Sequence, residues 1–323
     1  VDAAVSLHGI TKTFGQTFAV REMDLVVPRG AMYGFIGPNG AGKTTCIRMI
    51  MSILFPDSGA LSVLGRPSAL EAKDRIGYLP EERGVYRKMR VGAFLTYMGS
   101  LKGLSRAEAS KRGKRLLERV GLGETERKRC QDLSKGMLQR VQIAAAVMHE
   151  PDLLILDEPF SGLDPVSVRL LREIVMEEHR RGATILFSTH AMSQVEDICQ
   201  QVVMIHQGRK VLDEPTATLK RRFDHRTVRF EPLATGADVS LVASLADVES
   251  MARIDTGYEV RLAPGVDPAA AIRLFTRVID CARIELARLT LEDIFVDLVS
   301  ERAEEAEALR ASLHQSDVAG AAV

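Results

Sequence analysis

The sequence predicts an α/β fold with an inserted helical subdomain, followed by a small α+β domain, and three observations carry that prediction. An apolar stretch at 31–36 runs through a glycine-rich loop straight into a helical pattern. Two continuous apolar strands, 153–156 and 184–188, flank a helical stretch at 168–178, which is the strand, helix, strand unit of a parallel sheet. Beyond residue 220, short strand-like and helical runs alternate on a smaller scale.

In chain order, 5–10 and then 18–20 with 23–27 read as short strands around a turn, closed by Pro28-Arg29-Gly30. After the glycine-rich loop, Cys46, Ile47, Met49, Ile50, Ile53 and Leu54 recur at helical spacing and stop before Pro56-Asp57-Ser58-Gly59. A strand-like stretch at 72–80 ends at Pro80. Residues 91–120 read as two helical runs, through Leu95, Met98 and Leu101, then after Ser105 through Leu116, Leu117 and Val120. Ser105 and Glu108 have the spacing of a capping box. These runs make a helical insert at about 85–130, and a third helix is expected at 137–148. The C-terminal part reads as strand 228–231, helix 238–247, strand 259–262, helix 269–278, strand 282–285 and helix 291–299. The expected division is therefore 1–220, a domain at 224–299, and a charged, frayed tail at 300–323.

Composition removes several classes. The 323 residues are more than one typical domain needs, and 46% hydrophobic with 27% charged residues is ordinary for a globular chain. Lys plus Arg and Asp plus Glu number 43 each, so nothing at whole-chain level suggests a protein that coats nucleic acid. Cys46, Cys130, Cys199 and Cys281 are widely spaced, unlike a disulfide framework. No run approaches 18 consecutive apolar residues, so the expectation is a chain that does not itself span a membrane.

Gly37-Pro38-Asn39-Gly40-Ala41-Gly42-Lys43-Thr44 matches GxxxxGK[ST] between a predicted strand and a predicted helix. Glycines let backbone amides turn toward one point, where they can wrap β- and γ-phosphates, and the following helix adds free amides and its dipole. Lys43 supplies a mobile positive charge, the Thr44 hydroxyl can ligate Mg²⁺, and Thr45 supports the same phosphate cluster. A phosphate site also needs carboxylates for metal and water. Asp157 and Glu158 end the apolar strand at 153–156, at the edge where ligands gather in open α/β sheets. Asp157 suits the magnesium partner and Glu158 the water-polariser.

With these residues in place, the sequence over about 5–215 resembles the nucleotide-binding subunits of ATP-binding cassette (ABC) transporters. The resemblance implies a P-loop NTPase core of ABC ATPase type and roles for residues that spacing does not explain. Ser134, Lys135, Gly136 and Met137 occupy the signature motif, which in the family binds the γ-phosphate of ATP held by the opposite subunit. Asp164, in Ser161-Gly162-Leu163-Asp164, matches the loop that shapes the facing site. His190 matches the switch histidine at the γ-phosphate, and Phe14 the aromatic position that stacks on adenine. Two positions depart from the pattern. Glu81 stands where glutamine is common, and a carboxylate there can also ligate Mg²⁺ or water. Lys135 and Met137 stand where Gly and Gln are usual, and the lysine either neutralises phosphate charge or faces solvent. Both departures resemble a branch of bacterial exporter subunits, of sodium-exporter and antibiotic-resistance type, whose small C-terminal domain ends much like Leu291-Glu292-Asp293-Ile294-Phe295.

The resemblance implies an ATPase with cofactors ATP and Mg²⁺ that powers export. Its partners would be a second nucleotide-binding subunit, in a homodimer, and a separate multi-spanning membrane subunit contacted through about 85–130 and 79–87. The implied location is peripheral, on the cytoplasmic side of the cell membrane, with no direct nucleic-acid contact. The rival reading is a cytosolic ABC-type ATP switch in regulation, translation or DNA repair.

Overall fold

The computed structural model describes residues 2–81, 84–196, 198–222, 226–234, 236–287 and 290–299, apart from the side chains at 220–222 and 297. The expected tail at 300–323 and the charged junction at 223–225 lie outside the described residues. The chain divides into two units, one of Val1–Thr216 joined by the chain from Phe295 on, the other Ala217–Ile294.

The first unit opens on a hairpin of β1 (Ala3–Phe14) and β2 (Thr17–Pro28), both longer than the sequence suggested because pairing continues through bulges from Ala3↔Pro28 to Phe14↔Thr17. Next come β3 (Met32–Ile36), α1 (Lys43–Ile50) and β4 (Ser58–Val63), an edge strand pairing with β1. Its first half is exposed, so it lacks the alternation that marks a strand, and Ser58-Gly59 reads locally as a turn. The stretch expected as one strand at 72–80 is divided. Ala69–Arg75 is a 3-10 helix, with the Ser68 hydroxyl accepting from the Leu70 amide, and β5 (Ile76–Leu79) follows.

The insert holds α2 (Val91–Leu101) and α3 (Arg106–Arg119), and α4 (Lys135–Val147) leaves it. Only half of the expected capping box forms. Ser105 Oγ accepts from the Glu108 amide at 3.2 Å, while the Glu108 carboxylate accepts from Arg112 Nε at 2.7 Å instead of reaching back. Then follow β6 (Leu153–Asp157), α5 (Pro165–Arg180), β7 (Thr184–Thr189), α6 (Met192–Glu196), β8 (Gln201–His206), β9 (Arg209–Pro215) and α7 (Thr216–Arg222). The β8–β9 hairpin is absent from the sequence-based expectation, although Val202–Ile205 followed by Gln207-Gly208 carries its signal.

Among the described residues the first unit has two sheets. Order β2-β1-β4 is antiparallel, and order β5-β6-β7-β3-β8-β9 is parallel up to the β8–β9 pair. Cys46, Ile47 and Ile50 of α1 join the two, packing in one core with Leu7, Leu25, Phe35 and Leu153. Burying such aliphatic and aromatic side chains contributes about 1.5–3 kcal/mol each.

The second unit contains β10 (Thr227–Pro232), α8 (Ser240–Ala243), β11 (Val248–Ile254), β12 (Gly257–Leu262), α9 (Pro268–Val278), β13 (Cys281–Leu286) and the start of α10 (Leu291–Val299). The sheet order is β11-β12-β10-β13, all antiparallel. The helix expected at 238–247 shortens to one turn because 248–254 is drawn into the sheet as an edge strand. Val228, Phe230, Val260 and Leu262 pack on Val242, Ala271 and Phe275 of the helices. Alternate residues on the other face pair in charge, as in Arg229 with Glu259 at 2.7 Å.

Candidate active site

Three neighbouring strands of the parallel sheet deliver the site. Ile36 of β3 lies opposite Thr189 of β7, and Asp157 of β6 lies opposite Ser188. The residues that leave this edge, Gly37, Glu158 and His190, therefore emerge side by side at the C-terminal ends of the strands.

The glycine-rich loop is pressed between the β1–β2 hairpin and the β8–β9 hairpin. Gly42, at φ 109, has Ala19 O where a Cβ would approach to 2.3 Å, and Gly37 faces Ile205 O at 2.2 Å from a Cβ position. The Gly208 amide donates to Ala41 O at 2.9 Å, tying the second hairpin to the loop. The helix α1 begins at Lys43 with Gly42 as its cap residue, so its first amides face the loop with no carbonyl of their own turn to bond. Lys43 Nζ donates to Gly37 O at 2.7 Å and Pro38 O at 3.2 Å. Burial lowers its pKa, opposed by the charges of Glu158, Asp157 and Glu81. A cavity of ≈300 Å³ is lined by Asn39, Gly40, Ala41, Gly42, Lys43, Thr44 and Thr45 of the loop and helix, with Ala19, Glu81 and Glu158.

Asp157 is 1% exposed, and burial raises its pKa to about 6, with the Ser188 and Thr44 hydroxyls partly offsetting. Neither of its carboxylate oxygens has a partner with hydrogen-bond geometry. Two buried acceptors without donors, next to the Thr44 hydroxyl, form a set that fits a hard divalent cation such as Mg²⁺.

Glu158 has φ 49, a left-handed conformation uncommon outside glycine. Its amide donates to Ser188 O at 2.9 Å. Its carboxylate accepts three hydrogen bonds: on Oε2 from Thr189 Oγ1 at 3.0 Å, and on Oε1 from the His190 amide at 2.8 Å and from His190 Nδ1 at 2.7 Å. A carboxylate fixed in this way beside a phosphate cavity can orient water and accept its proton.

The signature residues lie elsewhere. Ser134 caps α4, its Oγ accepting from the Met137 amide at 3.3 Å. Ser134, Gly136 and Met137 do not line the phosphate-loop cavity of their own chain. Lys135 lies across Gly162, where a Cβ would meet Nζ at 2.9 Å, and reaches a second cavity of ≈500 Å³ shared with Glu81, Glu158 and Ser161. Asp164 caps α5, accepting from the Val166 and Ser167 amides at 3.0 and 2.9 Å and from Ser167 Oγ at 2.6 Å. The Ser167 hydrogen bonds hold its pKa below the usual value. Phe14 is 50% exposed at the hairpin tip, with Lys12 Nζ 5.7 Å from its ring centroid, and is not among the residues lining the loop cavity.

Sequence reasoning missed Thr189, Ala19 and Gly208, which hold Glu158 or shape the loop. Gly208 had a signal in the Gln-Gly turn, whereas Thr189 and Ala19 have none, since their roles come from segments distant in sequence. It also passed over Phe18, a second exposed ring on the hairpin, which carries Arg21 at 4.1 Å.

Comparison with known proteins gives concordant findings. The ABC transporter family model matches residues 20–161. An uncharacterized ABC transporter ATP-binding protein, YhaQ of Bacillus subtilis (strain 168), is 38% identical over 295 residues, covering 91% of this chain and 98% of the relative. The linearmycin resistance ATP-binding protein LnrL, also of Bacillus subtilis (strain 168), is 32% identical and covers 90% of this chain and 96% of the relative. A solved ATP-binding subunit of an ABC transporter superposes with TM-score 0.63 at 32% identity, over 68% of this chain and 93% of that one.

Proposed function

The chain belongs to the family of ABC transporter ATP-binding subunits, and on that premise we propose how its own residues bind ATP, hydrolyse it and pass the energy on. As a member of that family it binds and hydrolyses ATP to drive transport. The observation that carries the residue assignment is the convergence of Lys43, Asp157, Glu158 and His190 on one sheet edge around the loop cavity.

The loop amides and the start of α1 bind the β- and γ-phosphates, and Lys43 exchanges the loop carbonyls for phosphate oxygens. Thr44 and Asp157 hold Mg²⁺, with Glu81 as a further carboxylate at the cavity wall. An ion held by these residues would supply positive charge toward the phosphate oxygens. Glu158 orients the attacking water and takes its proton, and His190, already bonded to Glu158, steadies the γ-phosphate side. Phe14 supplies an exposed ring for the adenine.

In one chain the donors at Ser134, Gly136 and the start of α4 stay outside the phosphate cavity, which supports a head-to-tail homodimer in which they close over ATP held by the other copy. Asp164 then helps shape the facing site. Among the described residues no helix is long and apolar enough to cross a membrane. The energy therefore passes to a separate multi-spanning subunit on the cytoplasmic face, met by a groove of ≈590 Å³ in the insert lined by Arg90, Tyr97, Arg106 and Arg127 among others. Export is the direction favoured by the resistance name of LnrL. The rival cytosolic switch gains nothing from relatives that match nine-tenths of the chain and carry transporter or resistance names.

Glu158→Gln is expected to reduce phosphate release to near background while ATP still binds and the closed dimer persists, measured by phosphate assay and by size-exclusion chromatography with ATP. Release at the wild-type rate would remove Glu158 from the catalytic role.

A further inference from the structure

We propose that Glu81 and Lys135, the two charged residues standing where the family pattern is neutral, form a compensating pair within one chain, so that the lysine of the signature segment balances the added carboxylate beside Glu158. The inference rests on the ATP-binding reading of the site and goes beyond it in assigning Lys135 a charge-balancing role toward Glu81.

Glu81 lines both cavities, and its charge acts on Lys43 and on Asp157. With glutamate at this position, three carboxylates, Glu81, Asp157 and Glu158, surround a site that must accept a triphosphate, and Lys43 is the one ammonium in the loop cavity lining. Glu81 is exposed, so water attenuates the repulsion between its carboxylate and phosphate oxygens without removing it. Lys135 supplies the missing positive charge. Its stem lies along Gly162, where absence of a side chain leaves the passage open. The cavity that Lys135 enters has Glu81 and Glu158 as its other charged lining residues, and the remaining polar ones are Gln139, Gln142 and Ser161. Gln139 is engaged with the Pro159 carbonyl, so the ammonium is the group in that cavity suited to balance the carboxylates. Both departures from the family pattern therefore meet in one cavity with opposite charge.

The test is a double-mutant cycle on the full chain, read by titration with a fluorescent ATP analogue in Mg²⁺ and by steady-state phosphate release. Lys135→Met keeps the stem over Gly162 and removes the charge. It is expected to weaken binding about tenfold with Glu81 present, and less than about twofold in the Glu81→Gln background. The dependence on residue 81 distinguishes charge balance from packing, because lost packing would act alike in both backgrounds. Equal losses in both backgrounds, or no loss in either, would overturn the pairing. Binding by the unaltered chain tests the nucleotide reading separately, so failure of that reading is distinguishable from failure of the pair.

Discussion

Glu158 is held on both oxygens, since Thr189 Oγ1 donates to one carboxylate oxygen and His190 donates twice to the other. The Thr189 hydroxyl in turn accepts from the Ala191 amide at 3.1 Å, which fixes its direction. Thr189→Val keeps the shape and removes this donor, leaving one oxygen of a buried carboxylate unpartnered. The expected result is a fall of about tenfold in kcat with the KM for ATP changed less than about twofold, and recovery in Thr189→Ser. A serine variant as slow as the valine variant would sink this account. At this scale the roles proposed for Lys43, Thr44, Asp157 and Glu158 follow from residue type and spacing. The hold of Thr189 on Glu158 was not, because a threonine ending a buried strand carries no spacing rule.

Elements were legible where burial leaves a period. β6 and β7 are buried throughout, and their apolar runs, 153–156 and 185–187, are continuous in the sequence. β4 and β11 are edge strands with long exposed stretches, so their residues lack the alternation and the strand state follows from pairing with β1 and β12. The start of α3 shows how local signals divide. Ser105→Ala removes a cap that accepts from Glu108, and about 1 kcal/mol of stability should go with it. Glu108→Ala loses an i,i+4 pair with Arg112 that is open to water, and should cost clearly less than Ser105→Ala. Urea unfolding of both variants checks the ordering, and equal losses would restore the reciprocal box to consideration.

At the scale of the whole molecule, the first unit recruits residues 295–299. Phe295 is fully buried, and its ring meets His206 edge-on with centroids 5.7 Å apart. Phe295→Ala in the full chain should destabilise the first unit by about 3–5 kcal/mol, seen as a lower urea midpoint for loss of ATP binding. An unchanged midpoint would show that the first unit stands without that ring. The sequence by itself determined the glycine-rich loop motif, the acids that end the apolar strand and the α/β class, since each is written in residues close together and in their period. Only the tertiary structure decided the strand order β5-β6-β7-β3-β8-β9, the hold of Thr189 on a carboxylate 31 positions away, and the meeting of Glu81 with Lys135 in one cavity. The physical reason is that such contacts join segments far apart in the chain, and which of them meet is settled by the packing of the whole core rather than by any local preference.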